Sequence, residues 1–111
     1  MGMSLSNTQR IVDDWIGQFE EGYWPPLSML ASIIEEVGEL AREINSLEGY
    51  KTKKSTETKV SLGEELGDLI FSIVCLANYY KIDLEDVFKK AIEKYTKRDV
   101  GRWTYKKEGT A

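Results

Sequence analysis

With 111 residues the chain has room for one domain built on one hydrophobic core. Its apolar fraction of 41% and charged fraction of 31% are those of a globular chain, which excludes disorder or membrane residence as its general character. A net charge of −4 and the lack of histidine exclude the basic footprint nucleic acid demands, a His general base, a Ser–His nucleophile and most zinc sites.

The first helix is expected to open near Ser6 or Asn7, either a suitable N-cap, and to run to Glu21, because Ile11, Val12, Trp15, Ile16 and Phe19 recur at helical spacing. Gly22 and the Pro25-Pro26 pair break it. A second helix is expected over 27–47, with Pro26 suited to its first turn and Gly49 as its stop. Leu30, Ile33, Ile34, Val37, Leu40, Ala41, Ile44 and Leu47 fill one wide arc of it, and Glu36, Glu39 and Glu43 form a stripe along the arc's edge. Residues 50–59 are polar, with Lys51, Lys53 and Lys54 close together, and read as a connection whose lysines serve solubility. The third helix, over 60–80, is apolar nearly all round after Leu69. Its single cysteine, Cys75, is expected to be a buried, inert thiol. The fourth begins after Asp83, a good N-cap, and ends near Arg98 or Asp99, with Leu84, Val87, Phe88, Ala91, Ile92 and Tyr95 on its core face. Residues 100–111 have no period and are expected to be a tail free to move, in which Arg102, Trp103 and Tyr105 could dock. The fold class is all-α: four main helices in an antiparallel bundle, completed by oligomerisation.

The longest apolar stretch, 69–77, falls far short of the roughly 20 residues of a membrane-spanning helix. Residues 1–10 also lack the apolar core of a secretory signal, so a cytoplasmic protein with no membrane or nucleic-acid partner is expected.

Chemistry is concentrated in a pattern written twice. Glu35-Glu36-Val37-Gly38-Glu39-Leu40 on the second helix matches Glu64-Glu65-Leu66-Gly67-Asp68-Leu69 on the third. In each copy an acid pair three residues apart shares one helix face: Glu36 with Glu39, and Glu65 with Asp68. Antiparallel packing of the two helices lets four carboxylates converge. Mid-helix glycine costs roughly 0.5 to 1 kcal/mol relative to alanine, so Gly38 and Gly67 are expected to permit close backbone approach. Crowded carboxylates require either raised pKa values or a cation, and a hard, oxygen-seeking ion such as Mg²⁺ answers that need, with Mn²⁺ as a substitute. Calcium is disfavoured because no EF-hand loop is present.

These residues resemble the MazG-like family of all-alpha nucleoside triphosphate pyrophosphatases, whose signature is E-E-x-x-E followed after a spacer by E-x-x-D. Here it is Glu35-Glu36-x-x-Glu39, then Glu65-x-x-Asp68, and the likeness extends from about Trp15 to Trp103. The resemblance implies one MazG-like domain over 1–111 and Mg²⁺ held by Glu36, Glu39, Glu65 and Asp68. It also implies hydrolysis of a nucleoside triphosphate between its α and β phosphates, releasing a nucleoside monophosphate and pyrophosphate. Glu35 or Glu39 could position or deprotonate the attacking water. This chain carries a single motif-bearing unit, whereas some family members join two.

Lys90, Lys94 and Arg98 form a basic stripe on the fourth helix and are candidates for the phosphates, with Lys94 and Arg98 the better match to the family's basic positions. A solvated basic face is the competing account. Trp24, beside Tyr23 and before the prolines, is the candidate for stacking on a base, while Trp15 on an apolar helix face is expected to pack in the core. Leu69, Ile70, Phe71, Ile73, Val74, Leu76 and Ala77 wrap more than half of the third helix, which predicts a homo-oligomer, dimer or tetramer, with that helix central. Two other functions fit the acidic face: a non-catalytic helical oligomeric interaction module, and a related phosphoribosyl-nucleotide pyrophosphohydrolase.

Overall fold

The computed structural model describes residues 3–49 and 61–107, and these form four helices with no strand among them. Helix α1, Leu5–Gly17, starts two or three residues earlier than the sequence suggests, because Ser4 is the cap: its Oγ accepts the Asn7 N–H at 3.0 Å. It also stops short of Glu21. Past Gly17 the Phe19 N–H turns back to the Ile16 carbonyl, and Gly22 at φ +65° closes the turn, a conformation glycine adopts without penalty.

Helix α2, Pro26–Leu47, uses Pro26 where a missing N–H costs nothing, and ends just before Gly49 at φ +78°. Helix α3, Leu62–Tyr79, is capped by Ser61, whose Oγ accepts the Glu64 N–H at 3.1 Å. It ends in a paired-carbonyl turn: Lys81 N–H donates to the Asn78 carbonyl and Ile82 N–H to the Ala77 carbonyl, with Lys81 left-handed at φ +58°. Helix α4, Leu84–Arg98, begins behind Asp83, whose carboxylate accepts the N–H groups of Glu85 and Asp86. Lys97 and Arg98 lie in its last turn, where the helix dipole favours cations. Lys51, Lys53 and Lys54 lie outside the described residues.

The antiparallel pair α2 and α3 has the most extensive contact; α1 lies across α3, and α4 rests on α1. Val12, Met29, Val74 and Cys75 form the core, flanked by Ile16, Tyr23, Leu76 and Leu84. Val74, at 2% exposure, is its most deeply buried large side chain, worth roughly 1.5 to 3 kcal/mol. So α3 hides part of its apolar surface within one chain, while Ile70 and Ile73 stay exposed, as do Ile34 and Leu47 on α2 and Phe88 and Ile92 on α4. The radius of gyration is 18.2 Å, against about 13 Å for a compact chain of this length.

Gly38 and Gly67 do not mediate a close approach within the chain: a Cβ on either would meet nothing within 4 Å. Helical geometry explains it. Each glycine follows its motif's second glutamate by two positions, about 200° around the helix. When Glu36 and Glu65 turn toward one another, the glycines turn away. Among the described residues no helix is long and apolar enough to cross a membrane.

Candidate metal centre and adjoining cavity

The same helical arithmetic assembles the acids. Residues three apart stay on one face, so Glu65 and Asp68 of α3 meet Glu36 of α2, and one carboxylate oxygen from each lies within 4.8 Å of the others. Glu39 stands beside this triad, within hydrogen-bonding reach of Glu65. Glu35, next to Glu36 in the chain, is exposed, and Glu43, one turn beyond Glu39, is buried.

Glu65 is only 3% exposed. Burial, with Glu39 and Glu36 as hydrogen-bonding and like-charged neighbours, pushes its carboxyl up to about 7. Glu36 is also raised, first by burial; its hydrogen bond with Glu65 opposes this, and the charges of Glu39, Asp68 and Glu35 add to it. Glu36 Oε2 and Glu65 Oε2 are both buried and have no hydrogen-bond partner. Two orphaned carboxylate oxygens are costly in an interior, and a cation between them would remove the cost. The donor set is all oxygen, which suits Mg²⁺ or Mn²⁺ and disfavours soft metals.

Beside the triad opens a cavity of about 510 Å³, in the size range of small-molecule sites. Glu36 and Asp68 belong to its lining, so acids and cavity form one continuous site. Aromatic rings make the rest of the wall: Trp15 packs edge-on to Phe19 and Phe71 at centroid distances of 5.2 and 5.9 Å, and Tyr23 and Trp24 add the loop after α1. Trp24 lines the cavity and is 63% exposed. Trp15 is a correction: it is 51% exposed and lines the cavity with Trp24 instead of filling the core.

Comparison with known proteins gives this arrangement a family. Residues 25–103 match the MazG nucleotide pyrophosphohydrolase domain. The chain belongs to the MazG family. Over 106 residues it is 49% identical to the uncharacterized protein YpjD of Bacillus subtilis, covering 96% of each chain. The crystal structure of YpjD superposes with a TM-score of 0.76 at 46% identity, covering 86% of this chain and 97% of that one. The crystal structure of a Bacillus-conserved MazG protein, a nucleotide pyrophosphohydrolase, gives 0.73 at 36% identity, covering 98% of both. The nucleoside triphosphate pyrophosphohydrolase/pyrophosphatase MazG of Thermotoga maritima is 34% identical over 82 residues, 67% of this chain and 32% of that longer protein.

In this MazG chain the basic candidates stand apart from the cavity lining. Lys94 and Arg98 lie over the Tyr95 ring, 4.9 and 4.7 Å from its centroid, and Arg98 also donates two hydrogen bonds to Asp99. That guanidinium holds the Asp99 carboxyl below its usual range. Arg102 donates to the same carboxylate and lies over the Trp103 ring, but Trp103 and Tyr105, at 66% and 80% exposure, do not dock on the helices. Burial pushes the Cys75 thiol up, away from the reactive thiolate.

Sequence reasoning missed a polar relay beneath the cavity. Asn78, near the end of α3, donates to the Gln9 carbonyl at 2.9 Å and to Tyr23 Oη at 3.0 Å; Tyr23 in turn donates to Asp13 at 2.7 Å. Gln9 returns a bond to Asn78 Oδ1, donates to the Ile82 carbonyl and accepts the Leu84 N–H. No local signal reveals it, because its members come from four separate parts of the chain.

Proposed function

We propose that the protein is a Mg²⁺-dependent nucleoside triphosphate pyrophosphohydrolase that cleaves between the α and β phosphates, releasing a nucleoside monophosphate and pyrophosphate. One observation carries the reading: a triad of carboxylates with orphaned oxygens shares two of its members with the lining of an aromatic cavity. A triphosphate needs the first half of that site and a nucleobase the second.

Glu36, Glu65 and Asp68 would hold the ion, with Glu39 completing the set or acting beside it. When bound, the ion neutralises triphosphate charge and lowers the pKa of a coordinated water. Of the two candidate bases, Glu39 is better placed than Glu35, since it bears on both Glu36 and Glu65 while Glu35 bears on Glu36 alone. It would take the proton from the attacking water. Trp24 and Trp15 would stack on the base and exclude water from it.

Lys94 and Arg98 are offered for the phosphates from a neighbouring copy, consistent with a homo-oligomer, dimer or tetramer. Support comes from the apolar side chains left uncovered on α2, α3 and α4, whose burial between subunits would repay their exposure. A cytoplasmic setting suits such a substrate.

The test is a panel of canonical and modified nucleoside triphosphates with Mg²⁺ or Mn²⁺, identifying every phosphate product. Pyrophosphate with a monophosphate is expected. Release of orthophosphate instead, or no turnover of any triphosphate with either metal, would refute the proposal.

A further inference from the structure

Tyr23 has two faces in this structure. Its ring belongs to the cavity wall, and its hydroxyl belongs to the relay beneath. Asn78 does not line the cavity, yet it is buried and makes three hydrogen bonds through its carboxamide: two donated, to the Gln9 carbonyl and the Tyr23 hydroxyl, and one accepted from Gln9. Tyr23 can donate to Asp13 only with its own proton, so the donor it accepts from has to be Asn78. Chain direction through the relay is therefore fixed: Asn78 to Tyr23 to Asp13.

The segment held this way is the one that needs holding. Between the end of α1 and Pro26 the chain has no helix to fix it, and its backbone hydrogen bonds are local: those of the turns at Gln18, Phe19 and Gly22 and the Pro25 carbonyl's bond to Met29. Trp24, the most exposed of the cavity's aromatic side chains, directly follows Tyr23. Burial and the Asp13 hydrogen bond push the Tyr23 phenol up to about 12, so the hydroxyl remains a donor throughout the neutral range.

We propose that Asn78 is a positioning residue for nucleotide binding, acting through Tyr23 to fix the 18–25 segment and so present Trp24 to the base. The inference rests on reading the cavity as the nucleotide pocket. It assigns substrate affinity to a residue at the far end of α3, outside the acidic motif and outside the cavity.

Tyr23→Phe keeps the ring in the wall and removes only the hydroxyl, so it is the principal variant. KM for the best nucleotide of the panel should rise about three- to tenfold, the equivalent of one net hydrogen bond, with kcat within about twofold. Asn78→Ala should do the same, and the double variant should cost no more than Asn78→Ala alone, since both act through one chain of bonds. Asp13→Asn, which still offers an acceptor to the phenol, should keep the wild-type KM. Ser4→Ala is the control for a role in stability alone: it removes the side-chain cap of α1, which bonds neither the relay nor the cavity wall, and should lower the unfolding temperature with KM unchanged.

In a ¹H–¹⁵N spectrum of the nucleotide-free protein, the Trp24 indole signal should move or broaden in Tyr23→Phe while that of Trp103 stays. An unchanged KM in Tyr23→Phe, an unmoved Trp24 signal, or an equal KM rise in Ser4→Ala would overturn the positioning role while leaving an active wild-type enzyme in place. Failure of the wild type to hydrolyse any nucleotide would overturn the function, and this inference with it.

Discussion

The two copies of the acidic pattern, at 35–40 on α2 and 64–69 on α3, are nearly the same in letters and unlike in surroundings. Glu65 is buried and its carboxyl is raised to about 7, while its counterpart Glu36 is only partly covered. The cause is position in the bundle. Helix α3 has α2 on one side and α1 on the other, so what it turns inward is covered, whereas α2 has extensive contact on one side. A repeated motif thus fixes which residues face each other, and the packing around it decides which becomes the deep ligand.

The strongest attack on that comparison is to neutralise its deep member. Glu65→Gln should lower kcat/KM for the best triphosphate by at least about a hundredfold, because it removes a charge from the centre of the set. Glu64→Gln, one position earlier and exposed, should stay within about twofold. Equal losses, measured as pyrophosphate release, would mean that depth does not distinguish neighbouring acids.

Acidity tests the same asymmetry without substrate. Glu65 titrates near 7 when folded and near 4.5 as a free side chain, so between these values the folded state binds more protons than the unfolded. Stability of the metal-free protein should therefore be full below about pH 4.5 as far as this group is concerned, and fall as pH rises through 7. Thermal unfolding in a chelator should show the decline over pH 5 to 7.5; it should shrink in Glu65→Gln and be offset by Mg²⁺. A rise over that window would contradict the burial argument.

The helix starts differ as well. Ser61 caps α3 through its side chain, while Pro25 at the start of α2 has none to offer. Ser61→Ala should cost about 1 kcal/mol in denaturant unfolding. Smaller still, Gly38→Ala and Gly67→Ala should each stabilise an isolated chain by roughly 0.5 to 1 kcal/mol, since the added methyl meets open space and favours helix. A loss of stability that deepens with dilution would instead mean that a second copy packs against those glycines.

Much of this was legible in the sequence. Apolar periodicity gives the four helices, and Asp83, Pro26 and Gly49 mark their limits as the structure has them. Spacing of three predicts that Glu36 and Glu39 meet Glu65 and Asp68; Glu36, Glu65 and Asp68 form the triad, and Glu39 stands beside it. Errors arose where pattern and local chemistry part. Phe19 continues the period of α1, yet the helix ends at Gly17. Lys81 takes the left-handed position that glycine usually marks, so nothing in the letters flags it. Trp15 occupies an apolar helix face, which periodicity assigns to the core, and only the space between α1 and α3 makes it cavity wall. The Asn78–Tyr23 bond joins residues 55 positions apart, beyond any local rule.

The spread of the helices also governs how the molecule would travel through a gel matrix. A radius of gyration of 18.2 Å is what a compact protein of about 260 residues would have, more than twice this chain's length. A single copy of this shape would elute from a column calibrated with compact standards close to where two are expected. Retention volume therefore cannot count subunits here, and mass must be weighed directly, by light scattering or sedimentation equilibrium.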